Sequence, residues 1–206
     1  MRKRFFTAIL LLLIVAIGAV AVFKSASVSH GHLREERMNP FHYSKYLGTP
    51  TGLLANFEYP AGWLLHEERG QIERYKQVRI AGPRNREDSY SCYFAIQEFP
   101  LKTYGGMYQN VEELLHRYTD HLPEGAKTAV NHVTLSGLPA MDIRASYVSR
   151  PWHHQGLKAV EVPIATRVII VEKDPYLYQL NYSADARESE QYTEAFEHLV
   201  RTFRPR

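Results

Sequence analysis

HVTLSGLPAMDIRASYV, residues 132–148, is the stretch that decides how this chain folds. Val133 and Leu135 alternate with polar neighbours before Ser136-Gly137, and Met141, Ile143, Ala145 and Tyr147 alternate after it. A repeat of two places the apolar side chains of a strand on one face. Ser-Gly between two such runs is the signature of a two-residue hairpin turn. A turn that short joins antiparallel strands, because parallel neighbours need a crossover of a dozen residues or more. The sheet is therefore expected to be antiparallel.

Working outward toward the C-terminus, SRPWHHQG, 149–156, reads as a loop or hairpin tip. Residues 160–172 read as a long Val/Ile-rich strand. Lys173-Asp174-Pro175 turns the chain. Tyr176, Tyr178, Leu180 and Tyr182 then line one face of a returning strand. A terminal helix follows, with Asp185 as its expected cap and Glu188 at the capping-box position. Tyr192, Ala195, Phe196, Leu199, Val200 and Phe203 form its apolar stripe, and Pro205 stops it. Toward the N-terminus lies a second helix. Asn110 caps it, Glu113 completes a capping box, and Val111, Leu114, Leu115, Tyr118 and Leu122 form its stripe. Strands are expected over 53–59, 78–81 and 91–99, the last apolar on both faces and so central. Two amphipathic helices need covered stripes, and a sheet has two faces to offer. The expected body is α+β, an antiparallel β-sheet flanked by helices on both faces, an α/β/α sandwich behind an N-terminal transmembrane helix.

That leading helix is read from FFTAILLLLIVAIGAVAVF, residues 5–23, which carries no charge. As a helix it rises about 28 Å, close to the hydrocarbon thickness of a bilayer. Arg2, Lys3 and Arg4 precede it, which by the positive-inside bias leaves the N-terminus cytoplasmic and sends the rest across. An uncleaved anchor is favoured over a cleaved signal segment, because cleaved signals carry shorter apolar runs; the candidate cleavage motifs are Ala19-Val20-Ala21, inside the apolar stretch, and the weaker Ser25-Ala26-Ser27. The organisation expected is 1–24 anchor or signal segment, 25–50 juxtamembrane linker and 51–206 globular domain. The placement is a single-pass membrane protein with its body extracytoplasmic, periplasmic or lumenal.

The charge balance depends on that anchor. Four of the 25 basic residues lie in 1–24 with no acid, leaving 21 basic against 22 acidic residues in the remainder. A nearly neutral body with no basic run argues against nucleic-acid binding. The single cysteine, Cys92, lies among strand formers and reads as a buried structural thiol.

Few residues carry chemistry. There is no G-x-S-x-G elbow, no H-E-x-x-H and no phosphate loop. His66-Glu67-Glu68 lacks the second histidine of a zinc helix. No metal site is expected: His153 and His154 beside Trp152 are the best candidates for a metal or anion contact, but neighbours on a strand point to opposite faces and a surface loop is the favoured reading; His30 and His32 sit in the linker as a solvated pair. Glu112 and Glu113 follow a helix cap, where negative charge suits the dipole. Arg84, Arg86, Glu87 and Asp88 form a mixed-charge loop. The fourteen tyrosines suit strands and do not by themselves make a ligand groove.

Tyr59-Pro60-Ala61-Gly62-Trp63 in FEYPAGW resembles the early strand-and-turn of the PsbP-like family, whose founding members are lumenal extrinsic subunits of photosystem II. Leu135-Ser136-Gly137-Leu138-Pro139-Ala140 is similar to its central hairpin. Tyr178–Tyr182 with the helix ending at Phe203 is similar to its closing strand and helix. The resemblance spans about residues 53–204. It implies a sheet between helices and a non-enzymatic, accessory or binding role, with no cofactor and no partner-binding residue carried over. The function expected is a membrane-anchored accessory domain docking to a membrane-associated protein. The alternative is a small-ligand or lipid-binding module with an aromatic cleft.

Overall fold

The computed structural model describes residues 42–70, 74–84, 90–149 and 161–206. Two antiparallel meanders meet side by side. The first is β3 (Leu64–Arg69), β4 (Lys76–Ala81) and β5 (Cys92–Pro100); the second is β6 (Lys127–Leu135), β7 (Leu138–Ser149), β8 (Val162–Lys173) and β9 (Tyr176–Asp185). β5 pairs with β9, giving one seven-stranded sheet in the order β3-β4-β5-β9-β8-β7-β6. A small sheet of β1 (Tyr43–Tyr46), β2 (Ala55–Pro60) and β10 (Arg204–Pro205) lies in the order β1-β2-β10. All these pairings are antiparallel, as the Ser136-Gly137 hairpin required. Ser136 and Gly137 have φ of 53° and 80°, so both central residues of that turn are left-handed, the type I′ geometry that matches strand twist.

Alternation divides the apolar residues between two cores. Ile169, Val171, Tyr178, Leu180, Phe94 and Ile96 pack on one face of the large sheet. Val168, Ile170, Leu177, Ile143 and Phe99 pack on the other. α1 (Val111–Asp120) brings Leu114 to the second core, with Leu115 and Tyr118 beside it. Its start is as read: the Asn110 side chain accepts from the Glu113 N–H at 3.0 Å, and Glu113 reaches back to the Gln109 N–H at 2.6 Å. α2 (Glu190–Thr202) brings Tyr192, Phe196 and Leu199 to the first core, followed by Phe203. Each fully buried side chain of that kind is worth about 1.5–3 kcal/mol, which is what holds α2 down. Helices thus cover both faces.

Three local readings change. Residues 43–46 are not linker: Tyr43–Tyr46 pair with Pro60–Phe57, and Tyr46 is buried against Phe57 with ring centroids 4.7 Å apart. The folded body therefore starts before the 50/51 boundary. β3 was not expected, because His66, Glu67, Glu68 and Arg69 hide its alternation. Asp185 does not cap α2. Its backbone stays in the sheet, opposite Ile164, and its carboxylate accepts from the Arg187 N–H at 3.0 Å and from its Nε at 2.9 Å. The helix starts at Glu190 behind Ser189, which makes no side-chain cap bond. The expected anchor at 5–23, the linker up to residue 41 and His30, His32, His153 and His154 lie outside the described residues. Among the described residues, no helix is long and apolar enough to cross a membrane.

Candidate functional site

A groove of about 400 Å³ runs between α2 and the outer half of the large sheet. Its floor follows from register. Ala129, Arg144, Arg167 and Tyr182 stand opposite one another on β6, β7, β8 and β9, so their side chains form one row on the α2 face. Lys127, Ser146 and Ala165 form the next row. Ser189, Thr193, Phe196 and Glu197 of the α2 segment supply the facing wall.

Arg167 organises this space. Its Nε donates to Asp142 Oδ1 at 2.8 Å and its Nη2 to Oδ2 at 3.0 Å, the planar fork that suits a carboxylate. Its Nη1 donates to Glu197 across the groove. The guanidinium also lies 5.8 Å from the centre of the Phe196 ring. Burial alone would lower the Arg167 pKa. The hydrogen bond and charge of Asp142, with Glu197, more than offset it, and the net shift is upward. The Asp142 side chain is only 4% exposed, so the pair is a fixed feature of the sheet. Tyr182 stacks on Phe196, centroids 5.4 Å apart at 25°, and its hydroxyl donates to the Ser189 carbonyl at 2.6 Å. That bond ties the start of α2 to β9. Burial pushes the Tyr182 pKa up, so it remains a neutral donor.

The open side is cationic. Lys127 is exposed, and Arg144, 62% exposed, approaches Asp142 only to 3.7 Å. The groove therefore presents two exposed cations beside a clamped Asp142–Arg167–Glu197 network, and it is built to hold charge in place. Its aromatic lining is two rings, Tyr182 and Phe196, fewer than an aromatic cleft requires.

A second polar cluster joins the two sheets. Glu98 is almost wholly buried; one oxygen lies 3.1 Å from Lys76 Nζ and the other accepts the Leu54 N–H at 2.5 Å. The Leu54 carbonyl accepts from the Tyr178 hydroxyl at 3.0 Å and from the Arg206 N–H at 2.8 Å. Nearby, Tyr46 donates to Glu67 at 2.8 Å; burial and then that carboxylate push its pKa up to about 12. The Leu54 N–H and carbonyl are both held by this cluster, which is a structural task.

The residues singled out in the sequence fall elsewhere. Cys92 is buried, and burial pushes its thiol pKa up, so the reactive thiolate is suppressed. Glu113 serves α1, and Arg84 lies over the Tyr90 ring at 5.0 Å. His66 stands on β3, 3.8 Å from Glu68. Among the described residues, no three His, Cys, Asp or Glu side chains converge as a metal site. The groove residues Lys127, Asp142, Arg144, Arg167 and Glu197 were not anticipated. The available signal was Arg167 itself, the one charge within 162–171 of that Val/Ile-rich strand, since a charge in a buried strand demands a partner.

No family model matches the sequence, and no curated protein matches it. Solved structures do resemble it. One is cyanobacterial PsbP from Synechocystis, 13% identical, covering 87% of this chain and 99% of that one, with a TM-score of 0.49. Another is LpqN of Mycobacterium tuberculosis, involved in cell envelope biogenesis, 15% identical, covering 81% and 92%, with a TM-score of 0.48. A third, from Bacteroides thetaiotaomicron, is 11% identical with a TM-score of 0.47 and covers 79% of this chain. The chain spans about half the length of that protein, 48%.

Proposed function

We propose that this chain is a PsbP-like, membrane-tethered module whose folded body lies outside the cytosol and holds a membrane-associated protein, without catalysing a reaction itself. The uncharged run 5–23 behind Arg2, Lys3 and Arg4 supports the tether and its direction. The YPAGW turn and the Ser-Gly hairpin support the family reading. The observation that carries the docking role is the groove between α2 and β6–β8. Arg167 is clamped by Asp142 and Glu197, so the surface is pre-organised, while Lys127 and Arg144 stay exposed at its open side. Pre-organised charge gives specificity at little ordering cost.

A protein partner is favoured over a small ligand. Small-molecule sites bury most of their ligand, whereas Lys127, Thr128 and Ala129, the β6 wall of this groove, are themselves exposed. The groove volume of about 400 Å³ is what favours the second reading, an amphiphile with an anionic head. Affinity capture with the detergent-solubilised full chain separates them. A stoichiometric membrane protein retained by the native chain and lost with Lys127→Glu/Arg144→Glu is the expected result. Retention of that protein by the double variant removes the groove from the reading, and recovery of only lipid moves it to the amphiphile.

A further inference from the structure

The large sheet has two outer edges, and they are built differently. β3 carries His66, Glu67, Glu68 and Arg69, four ionisable residues in six. Charge along an edge is the usual guard against unwanted strand pairing. β6, KTAVNHVTL, has no acid, no proline and one lysine at its start. Its register with β7 runs unbroken through nine pairs, from Lys127↔Ser146 to Leu135↔Leu138, so no bulge blunts it. Nearly all its side chains are exposed on both faces, and its length is about 30 Å. An edge that long and unguarded is a template for another strand.

The turn fixes which backbone groups are free. A two-residue turn closes on a hydrogen-bonded pair, here Leu135 and Leu138, and pairs alternate from there. The N–H and C=O groups of Thr134, His132, Val130 and Thr128 therefore point away from β7. Pro139 agrees: it stands opposite Thr134, in a pair that needs no N–H from it. Lys127 and Ala129 face the groove, and the small Ala129 leaves a path from the edge to Arg144 in the next strand.

We propose that an extended acidic segment of the partner protein pairs with β6 as an eighth strand, its outward backbone groups bonding those of Thr128, Val130, His132 and Thr134. A carboxylate opposite Lys127 or Ala129 then reaches Lys127 and Arg144 at the groove mouth. This rests on the docking reading and states its mode. Charge selects the occupant, because among the described residues the edge and the open side of the groove offer cations and no exposed acid: Asp142 is buried under Arg167 and Glu197 is bound to it. Side chains directly opposite on an added strand have Cβ atoms about 5 Å apart, within reach of an ion pair.

Backbone hydrogen exchange of the full chain in detergent micelles, resolved to single residues, tests this. The probes are a blocked seven-residue peptide of alternating valine and glutamate and its valine–lysine counterpart. In the free protein the amides of Thr128, Val130, His132 and Thr134 exchange fast, and the glutamate peptide slows them while leaving β3 unchanged. Lys127→Glu weakens the glutamate peptide about two- to fivefold and favours the lysine peptide. Val130→Pro removes an outward N–H without touching the β6–β7 ladder and abolishes the protection. If Val130→Pro fails to fold, Val130→Glu keeps the backbone and repels the acidic strand. Failure of the glutamate peptide to protect these amides overturns the proposal, as does equal protection by both peptides. Concentration-dependent protection in the free protein assigns the edge to a second copy and also overturns it. Partner capture that is lost on groove charge reversal while these amides stay unprotected leaves the docking reading standing and removes only the strand pairing.

Discussion

Arg167 and Lys127 share the groove and are expected to respond oppositely to substitution. Arg167→Ala strips the fork from Asp142 and leaves a buried carboxylate uncompensated, a loss of about 3 kcal/mol. Lys127→Ala removes an exposed charge and shifts stability by less than about 0.5 kcal/mol, while weakening partner binding. Denaturant unfolding of the two variants separates the clamp from the proposed recognition surface. Lys76 and Glu98 behave as a second clamp. Lys76→Met costs about 3 kcal/mol by isolating the Glu98 carboxylate, and adding Glu98→Met recovers part of it. Glu58 sets a pH dependence. Its carboxyl pKa is held low, first by the hydrogen bond from His198 at 2.8 Å and then by Lys45. A depressed carboxyl contributes stability that is present above its unfolded pKa and lost as pH falls through the folded value. Thermal unfolding from pH 7 down through the carboxylate range is expected to show Glu58→Gln losing less stability on acidification than the native chain.

Elements were legible where local chemistry agreed with tertiary packing. The hairpin at Ser136-Gly137 is one such place, and Gly137, at φ of 80°, carries it. Gly137→Val forces a β-branched residue into the left-handed region and is expected to cost at least about 1 kcal/mol, read as a lower unfolding midpoint. Asn110→Ala removes the α1 cap, at about 1 kcal/mol. The same chemistry misled at Asp185, whose capping-box spacing is sound but whose backbone is taken by the sheet: its N–H donates to the Ser91 carbonyl at 3.2 Å. β3 was hidden because an edge strand has little to bury and carries charge instead. β1 was hidden because four residues, YSKY, are too few to show a period. Its place depends on partners far along the chain, Pro60 to Phe57 and the His198 ring stacked 3.5 Å from Tyr43. The groove was illegible for a similar reason. Arg144 and Arg167 stand 23 positions apart and meet Glu197 only through strand register and the return of α2.

At the scale of the whole molecule, the fold was readable as antiparallel and covered on both faces, because the two-residue alternation of β8 sends Val168 and Ile170 to one core and Ile169 and Val171 to the other. The proposed tether rests on 5–23 alone. It is testable through the lone cysteine, since Cys92 is buried and silent to labelling reagents. In a Leu64→Cys variant, a membrane-impermeant maleimide is expected to label the protein in spheroplasts without lysis; labelling only after lysis places the body in the cytosol. The central claim is that the body, held outside the membrane, grips a protein along the side formed by α2 and β6. It is tested most directly by a photo-activated cross-linker placed in the full chain in its native membrane, at Thr128 on β6 or at Leu64 on β3. The account predicts that Thr128 cross-links one membrane-associated protein and that Leu64 does not. Cross-linking to that protein from Leu64 alone, or to lipid alone from Thr128, would contradict it.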